Sequence, residues 1–332
     1  MTRWDWTWED RSRANRTPTV EPDPATDEHE STSAMGGGAG RRRDAEEVFR
    51  RRRAGAGLAL IVLVVLLIGA ISSHKSSSRP RATSRKSHVA ALSPGAAERV
   101  AMRTKAEQRA IESVLAYTPA VTSGGPTGNE VALTFDDGPG PYTQQLVAEL
   151  DRLHVNATFF AVGSQEQYFS AGTVDEINSG DVVGDHTETH PMMAGLSPHD
   201  QHEQLFEQMA QIEVLGGKRP RLFRPPYGSF NATTFRQLHH LRLLMILWSV
   251  DTADYTRPGT EAIVQRALAG AKPGAIILMH DAGGDRSETI AALPAIVSGL
   301  RKRGLRAVTV PRLLMDDPPP RGQPIPTSLG GG

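Results

Sequence analysis

From Val131 onward, short runs of consecutive apolar residues alternate with longer amphipathic stretches. The runs VALTFDD (131–137), ATFFAVG (157–163), DVVGDHT (181–187), RLFRPPYG (221–228), LLMILWSVD (243–251), GAIILMHD (274–281) and RAVTV (306–310) read as strands. Between them, 142–154, 165–179, 197–217, 231–241, 259–271 and 287–304 read as helices; the fourth strand ends on a loop-forming Pro-Pro-Tyr-Gly. The helix at 197–217 carries both punctuation marks, a Ser-Pro start and a Gly-Gly stop. Strands that are apolar throughout and separated by helices predict a parallel sheet covered on both faces. About 185 residues in seven such steps fit an α/β barrel or an open doubly wound sheet.

The pattern upstream is different. Residues 1–53 begin with an alternating-Trp stretch, WDWTWED, and continue acidic and rich in Pro and Gly, with no apolar period. This predicts a disordered tail. Residues 54–71 carry no charge and are nearly all aliphatic. Roughly 18 residues at 1.5 Å rise just cross a ~30 Å hydrocarbon layer. The expectation is a transmembrane anchor over 54–72. Arg50 to Arg53 abut its start, which predicts a cytoplasmic N-terminus and a domain outside the cell. Basic residues beyond the span (Lys75, Arg79, Arg81, Arg85, Lys86) weaken that asymmetry, and Ala70-Ile71-Ser72 offers a cleavage site, so secretion after signal cleavage is the alternative. Residues 73–129 read as a basic linker with a polar helix at 95–117 and a loop at 118–129. The compact domain is expected over 130–315, followed by a disordered tail at 316–332.

The totals add exclusions. The 332 residues carry no formal net charge and no cysteine. Disulfides, thiolate metal sites and cysteine nucleophiles are excluded. A neutral chain gives no support to nucleic-acid binding, and no protein partner is evident in the sequence. A metal, if present, must be held by His, Asp or Glu.

Reactive residues gather where the expected strands finish: Asp136 and Asp137, His186 and His190, Arg224 to Gly228, Asp251 and Asp254, and His280 with Asp281. In a parallel α/β fold those ends meet on one face, where sites are built. Adjacent aspartates repel unless a cation or two separate tasks accommodate them. The pair HTETH offers two imidazoles at i and i+4, and Thr187 stands where a metalloprotease helix needs Glu. Two His and one Asp suit Zn²⁺ or another borderline divalent ion, with positions left open for water. The remaining aspartate is then free to act as a base, with Arg224 placed to pair with it. His280 is the candidate acid, favoured in its protonated form by Asp254 or Asp251. A base, an acid and a Lewis-acid metal make a hydrolase site. His199, His202, His239 and His240 fall in helical stretches and read as surface residues.

The five stretches TFDDGP, HTETHP, RPPYG, DTADY and LMHD occur in this order in the chain. The set resembles the five motifs of the NodB-type polysaccharide deacetylases, carbohydrate esterase family 4, over about residues 130–312. The resemblance implies a distorted (β/α) barrel of about seven repeats. It also implies Asp136 as catalytic base, Asp137, His186 and His190 as metal ligands, and Arg224 as the residue orienting the base. The Tyr227 amide would help hold the oxyanion, Asp254 would tune His280, and His280 would be the general acid. Pro226, Tyr227, Tyr255 and Leu278 become the substrate-contacting candidates, with Leu278 lining an acetyl pocket. The fourth motif departs from the family, which ends it in Trp where this chain has Tyr255. The metal implied is Zn²⁺, with Co²⁺, Ni²⁺ or Mn²⁺ as substitutes.

The resulting expectation is a membrane-anchored, metal-dependent deacetylase of N-acetylated glycan, peptidoglycan first. The rivals are an O-acetyl esterase, a chitooligosaccharide deacetylase, a hydrolase of non-sugar amides, and a wall-binding protein without turnover.

Overall fold

A computed structural model describes residues 94–325. The chain runs α1 (Pro94–Leu115), β1 (Ala120–Val121), β2 (Glu130–Asp136), α2 (Thr143–Leu153), β3 (Thr158–Ala161), α3 (Gly163–Ser179) and β4 (Val182–Asp185). It continues through α4 (Pro198–Val214), β5 (Leu222–Phe223), α5 (Ala232–Leu241), β6 (Leu244–Ile246), β7 (Val250–Asp251) and α6 (Thr260–Gly270). It closes with β8 (Ile276–His280), α7 (Ser287–Lys302), β9 (Arg306–Val308) and α8 (Val310–Asp316). From β2 onward these make seven strand–helix steps.

Every strand pairing is parallel, in the order β1-β6-β5-β4-β3-β2-β8-β7. β9 pairs with the first residues of β2, ahead of the β2–β3 register that begins at Thr134. The sheet curls until β6 and β7, consecutive in the chain, lie on opposite flanks of a gap. The expected single strand 243–251 therefore breaks. The Leu247 amide donates to Val121 on one flank, and the Ser249 amide to Ile276 on the other. The result is the distorted (β/α) barrel that the motifs imply.

The alternation of side chains along β2 divides the structure. Val131, Leu133 and Phe135 pack outward against Leu146 and Leu150 of α2 and Leu293 and Ile296 of α7. The alternate set, Ala132, Thr134 and Asp136, points into the barrel. Ala132 joins a cluster with Phe160, Ile246 and Ile276, covered by Ile111 and Val114 of α1 and by Leu313 and Leu314 of α8. Thr134 and Asp136 sit nearer the strand ends, where the chemistry collects.

Two boundaries differ from expectation. The sheet begins upstream of Glu130, because β1 pairs with β6 and α1 covers the barrel interior. Part of the expected C-terminal tail is fastened. Asp317 accepts from the Thr127 and Gly128 amides, and the Gln323 side chain bonds Thr122 and Ser123. Short-range patterning missed both, since each two- to eight-residue piece is ordered only by distant partners. α8 occupies the end of the expected domain, where the pattern predicts no helix; Thr309 caps it by accepting from the Arg312 amide. Among the described residues no helix is long and apolar enough to cross a membrane. The expected anchor at 54–72, the tail before it and the linker up to residue 93 lie outside the described residues.

Candidate active site

The site is assembled by register. Asp136 at the end of β2 pairs with His280 at the end of β8, so the two motifs are direct neighbours. The Arg224 amide donates to Asp185 O, which sets the residue after β5 beside the residue before His186.

Arg224 is fully buried inside the barrel. Its Nη1 donates to Asp136 Oδ1 at 2.7 Å and to Thr134 Oγ1 at 2.9 Å. Its Nε and Nη2 donate to Ile246 O and Leu247 O, at 3.0 and 3.3 Å. The guanidinium also lies 4.3 Å over the Phe160 ring. Burial pulls Arg224 below its usual value, and the Asp136 carboxylate opposes that shift. This fork fixes one Asp136 oxygen and leaves the other facing the cleft.

Asp137 adopts φ 73°, a left-handed conformation, and both aspartates approach His186 Nε2, Asp136 Oδ2 at 3.8 Å. Asp137 Oδ1 lies 3.1 Å from His190 Nε2 and 3.6 Å from His186 Nε2. The three ligand atoms fall within 4.8 Å of one another, and they are the one such acid–imidazole group among the described residues. His186 Nδ1 donates to Arg224 O at 2.6 Å, which leaves Nε2 as a lone-pair donor aimed at the carboxylates. Two imidazole lone pairs and a carboxylate converging this closely suit a divalent cation. Burial by itself raises the Asp137 carboxyl. The adjoining His186 and His190 rings, with His280 behind them, outweigh it and hold the group well below the carboxylate range. The HTETH stretch is a loop, not a helix: Thr187 and His190 have φ 71° and 59°, and Thr187 Oγ1 accepts from the His190 amide.

His280 faces these groups from β8. Its Nδ1 donates to Asp254 Oδ1 at 2.7 Å and its amide to Asp254 Oδ2 at 2.9 Å. Thr289 Oγ1 donates to the same Oδ2 at 2.8 Å. Burial lowers His280, but the hydrogen bond and charge of Asp254, with Asp137 and Asp136 behind them, push it up to about 9. Burial raises Asp254, and His280 reverses this, leaving the carboxyl below its usual value. Of the two acids the sequence offers, Asp254 is the partner. Asp251 is exposed and accepts from the Ala253 amide instead.

Above this floor lies a cleft of about 510 Å³. Tyr227, Tyr255 and Leu278 line it. The Tyr227 ring meets His190 edge-on at 4.6 Å, and the Tyr255 ring meets His280 at 5.3 Å. Tyr227 has φ 57°, and its amide has no hydrogen-bond partner among the described residues. Such strained positions gather at functional sites. Pro225 and Pro226 are both buried, and Pro225 is the one of the two that lines the cleft. Arg224 and Asp254 act from behind the lining. Sequence reading did not assign Met192, Trp248, Gly283 or Arg286 to the cleft. Trp248 was hidden in the strand that breaks. Arg286 gave only the weak signal of a cation after a Gly-Gly pair.

The family model for polysaccharide deacetylase matches residues 123–246. A peptidoglycan-N-acetylglucosamine deacetylase of Bacillus cereus is 37% identical over 195 residues, covering 55% of this chain and 87% of that protein. The chain belongs to the polysaccharide deacetylase family. A chitooligosaccharide deacetylase of Sinorhizobium fredii is 33% identical over 60% of this chain and 98% of that protein. Among solved structures, a family 4 carbohydrate esterase from Streptomyces lividans in complex with acetate is 34% identical, with a TM-score of 0.52, over 54% of this chain and 92% of that one. This polysaccharide deacetylase is therefore a hydrolase.

Proposed function

We propose that the protein removes N-acetyl groups from the N-acetylglucosamine residues of peptidoglycan, with a divalent cation, Zn²⁺ first, held by Asp137, His186 and His190. The observation that carries this reading is the convergence of those three ligand atoms beside an Asp136 that is tied to Arg224. When bound, the cation supplies a Lewis acid that polarises the acetyl carbonyl and makes water a better nucleophile at neutral pH.

The chain's own groups supply the rest. Asp136, oriented by Arg224, accepts the proton of the attacking water through its cleft-facing oxygen. The Tyr227 amide offers a donor to the oxygen that becomes negative as the carbonyl turns tetrahedral. His280, protonated and held by Asp254, passes its Nε2 proton to the departing nitrogen as the C–N bond breaks. Acetate and a free amine result. Tyr227 and Tyr255 wall the cleft for a sugar ring, and Leu278 offers an apolar surface to the acetyl methyl. The anchor expected at 54–72 would hold this activity outside the cell, facing the wall.

The likeness to a chitooligosaccharide deacetylase favours one second reading, a soluble N-acetylglucosamine oligomer as substrate. The test is acetate release by the full chain from purified peptidoglycan and from chitotetraose, before and after EDTA treatment and Zn²⁺ repletion. The expected result is Zn²⁺-restored release with appearance of free amine, faster on peptidoglycan. Release of acetate with free hydroxyl and no amine would overturn N-deacetylation. No release from either glycan would overturn the reading as a whole.

A further inference from the structure

Arg286 is a charge without a partner. Only 2% of it is exposed, yet it forms no ion pair among the described residues. Its Nε donates to Ala282 O at 2.6 Å and its Nη1 to Asp285 O at 3.3 Å. Nη2 has no hydrogen-bond acceptor among the described residues, and it is not sealed from solvent. The residue lines the cleft together with Gly283.

The neighbouring acid is turned away. Asp285 accepts from the Ser287 amide, pairs with Arg257 at 3.6 Å and bonds the Tyr142 hydroxyl. The loop is shaped to expose the guanidinium toward the floor of the site. Gly283 has φ 74°, and a Cβ there would stand 2.7 Å from Asp137 Oδ2 and 3.4 Å from Arg286 Nη2. The two atoms are thus no more than about 6 Å apart, within reach of a small group bridging the metal-ligand side of the cleft and the guanidinium. The nearest carboxylate, Asp137, belongs to the candidate metal-ligand set and makes no ion pair with Arg286, so the buried guanidinium gains from a further counter-charge. The free Nη2 can give a carboxylate one charge-assisted hydrogen bond.

We propose that Arg286 is an anion subsite of the cleft, holding a carboxylate beside the reacting acetamide. The carboxylate has two possible sources. One is the lactyl carboxylate of the muramic acid that adjoins the reacting N-acetylglucosamine in the strand. The other is the acetate product. This assignment rests on the deacetylase reading and gives it a preference for acidic glycan.

The test compares kcat/KM on glycan strands stripped of stem peptides, whose muramic acids carry free carboxylates, with kcat/KM on neutral chitotetraose. Inhibition by added acetate is measured alongside. The full chain is used as wild type, Arg286→Gln and Arg286→Lys. If the substrate supplies the carboxylate, the acidic-to-neutral ratio falls about tenfold in Arg286→Gln, the loss of one charge-assisted hydrogen bond, and recovers in part in Arg286→Lys. If acetate is the ligand, its inhibition constant rises by about the same factor while the ratio holds. A ratio and an inhibition constant that both stay put overturn the subsite, even if rates drop on both glycans, since a loop clamp would lower them together. Should the variants not fold, the wild type decides. Either the ratio or acetate inhibition must weaken with rising ionic strength, and indifference of both to salt overturns the proposal. Failure of the wild type on both glycans is a separate result that removes the deacetylase reading itself.

Discussion

Replacing Asp254 with Asn keeps the shape of the His280 support and removes its charge. His280 stands at about 9, well above the ordinary imidazole value of about 6.5, because Asp254 outweighs the opposing effect of burial. About 2.5 pH units correspond to about 3 kcal/mol favouring the imidazolium. Without the Asp254 charge, burial dominates and His280 should titrate at or below about 6.5. At pH 8 the protonated fraction then falls from about nine-tenths to a few per cent, so an acid-dependent step slows about 30-fold. The assay is kcat/KM for acetate release from pH 5 to 10. The wild type should keep its activity until an alkaline limb near pH 9, and Asp254→Asn should place that limb at or below pH 6.5. A cation in the site shifts both proteins in the same direction, so their difference is the quantity to compare. Stability should move with the same sign. The raised pKa stabilises the wild type fully below about pH 6.5, and that contribution disappears as pH rises through 9. The Tm difference between the two proteins should therefore shrink from pH 6 to pH 10. An alkaline limb unmoved by the substitution would refute His280 as the acid, or Asp254 as its control.

Asp136→Asn should lower acetate release at least 100-fold while bound Zn²⁺, measured by elemental analysis, stays near one per chain. His186→Ala should lose activity and bound metal together. Arg224→Met should cost about 3–5 kcal/mol in denaturant unfolding, because it strands the Asp136 carboxylate in the barrel; adding Asp136→Asn should return part of it, and no recovery would mean that packing, not charge, dominates. Gly274→Ala should lower Tm by about 5 °C with little change in kcat, since Gly274 has φ 83° and a Cβ there would meet Gly125 O at 2.3 Å.

The repeat pattern and the floor of the site were legible because both are encoded locally. A buried parallel strand is apolar along its length, and the groups that do the chemistry follow directly at its end, as Asp136 does in β2 and His280 in β8. Reading was poorer wherever a distant partner decides the outcome. β1 has two residues and exists because β6 offers an edge. The break at Leu247–Ser249 comes from two different carbonyl partners on the two flanks of the gap. The choice of Asp254 over Asp251 needed the turn at Ala253, whose φ of 48° no composition signals. Arg286 shows the limit most plainly: its interest lies in having no ion pair among the described residues, which only three dimensions reveal.

Arg224 reaches both Asp136 and the carbonyls of Ile246 and Leu247, where the curled sheet fails to meet itself. One side chain is thus at once a keystone of the architecture and the holder of the reactive acid. Selection acting on turnover and selection acting on solubility press on the same atom group, so drift at this position cannot yield a sound but idle barrel. Loss of activity in descendants of this fold would have to begin elsewhere, at the imidazoles or at Asp136 itself.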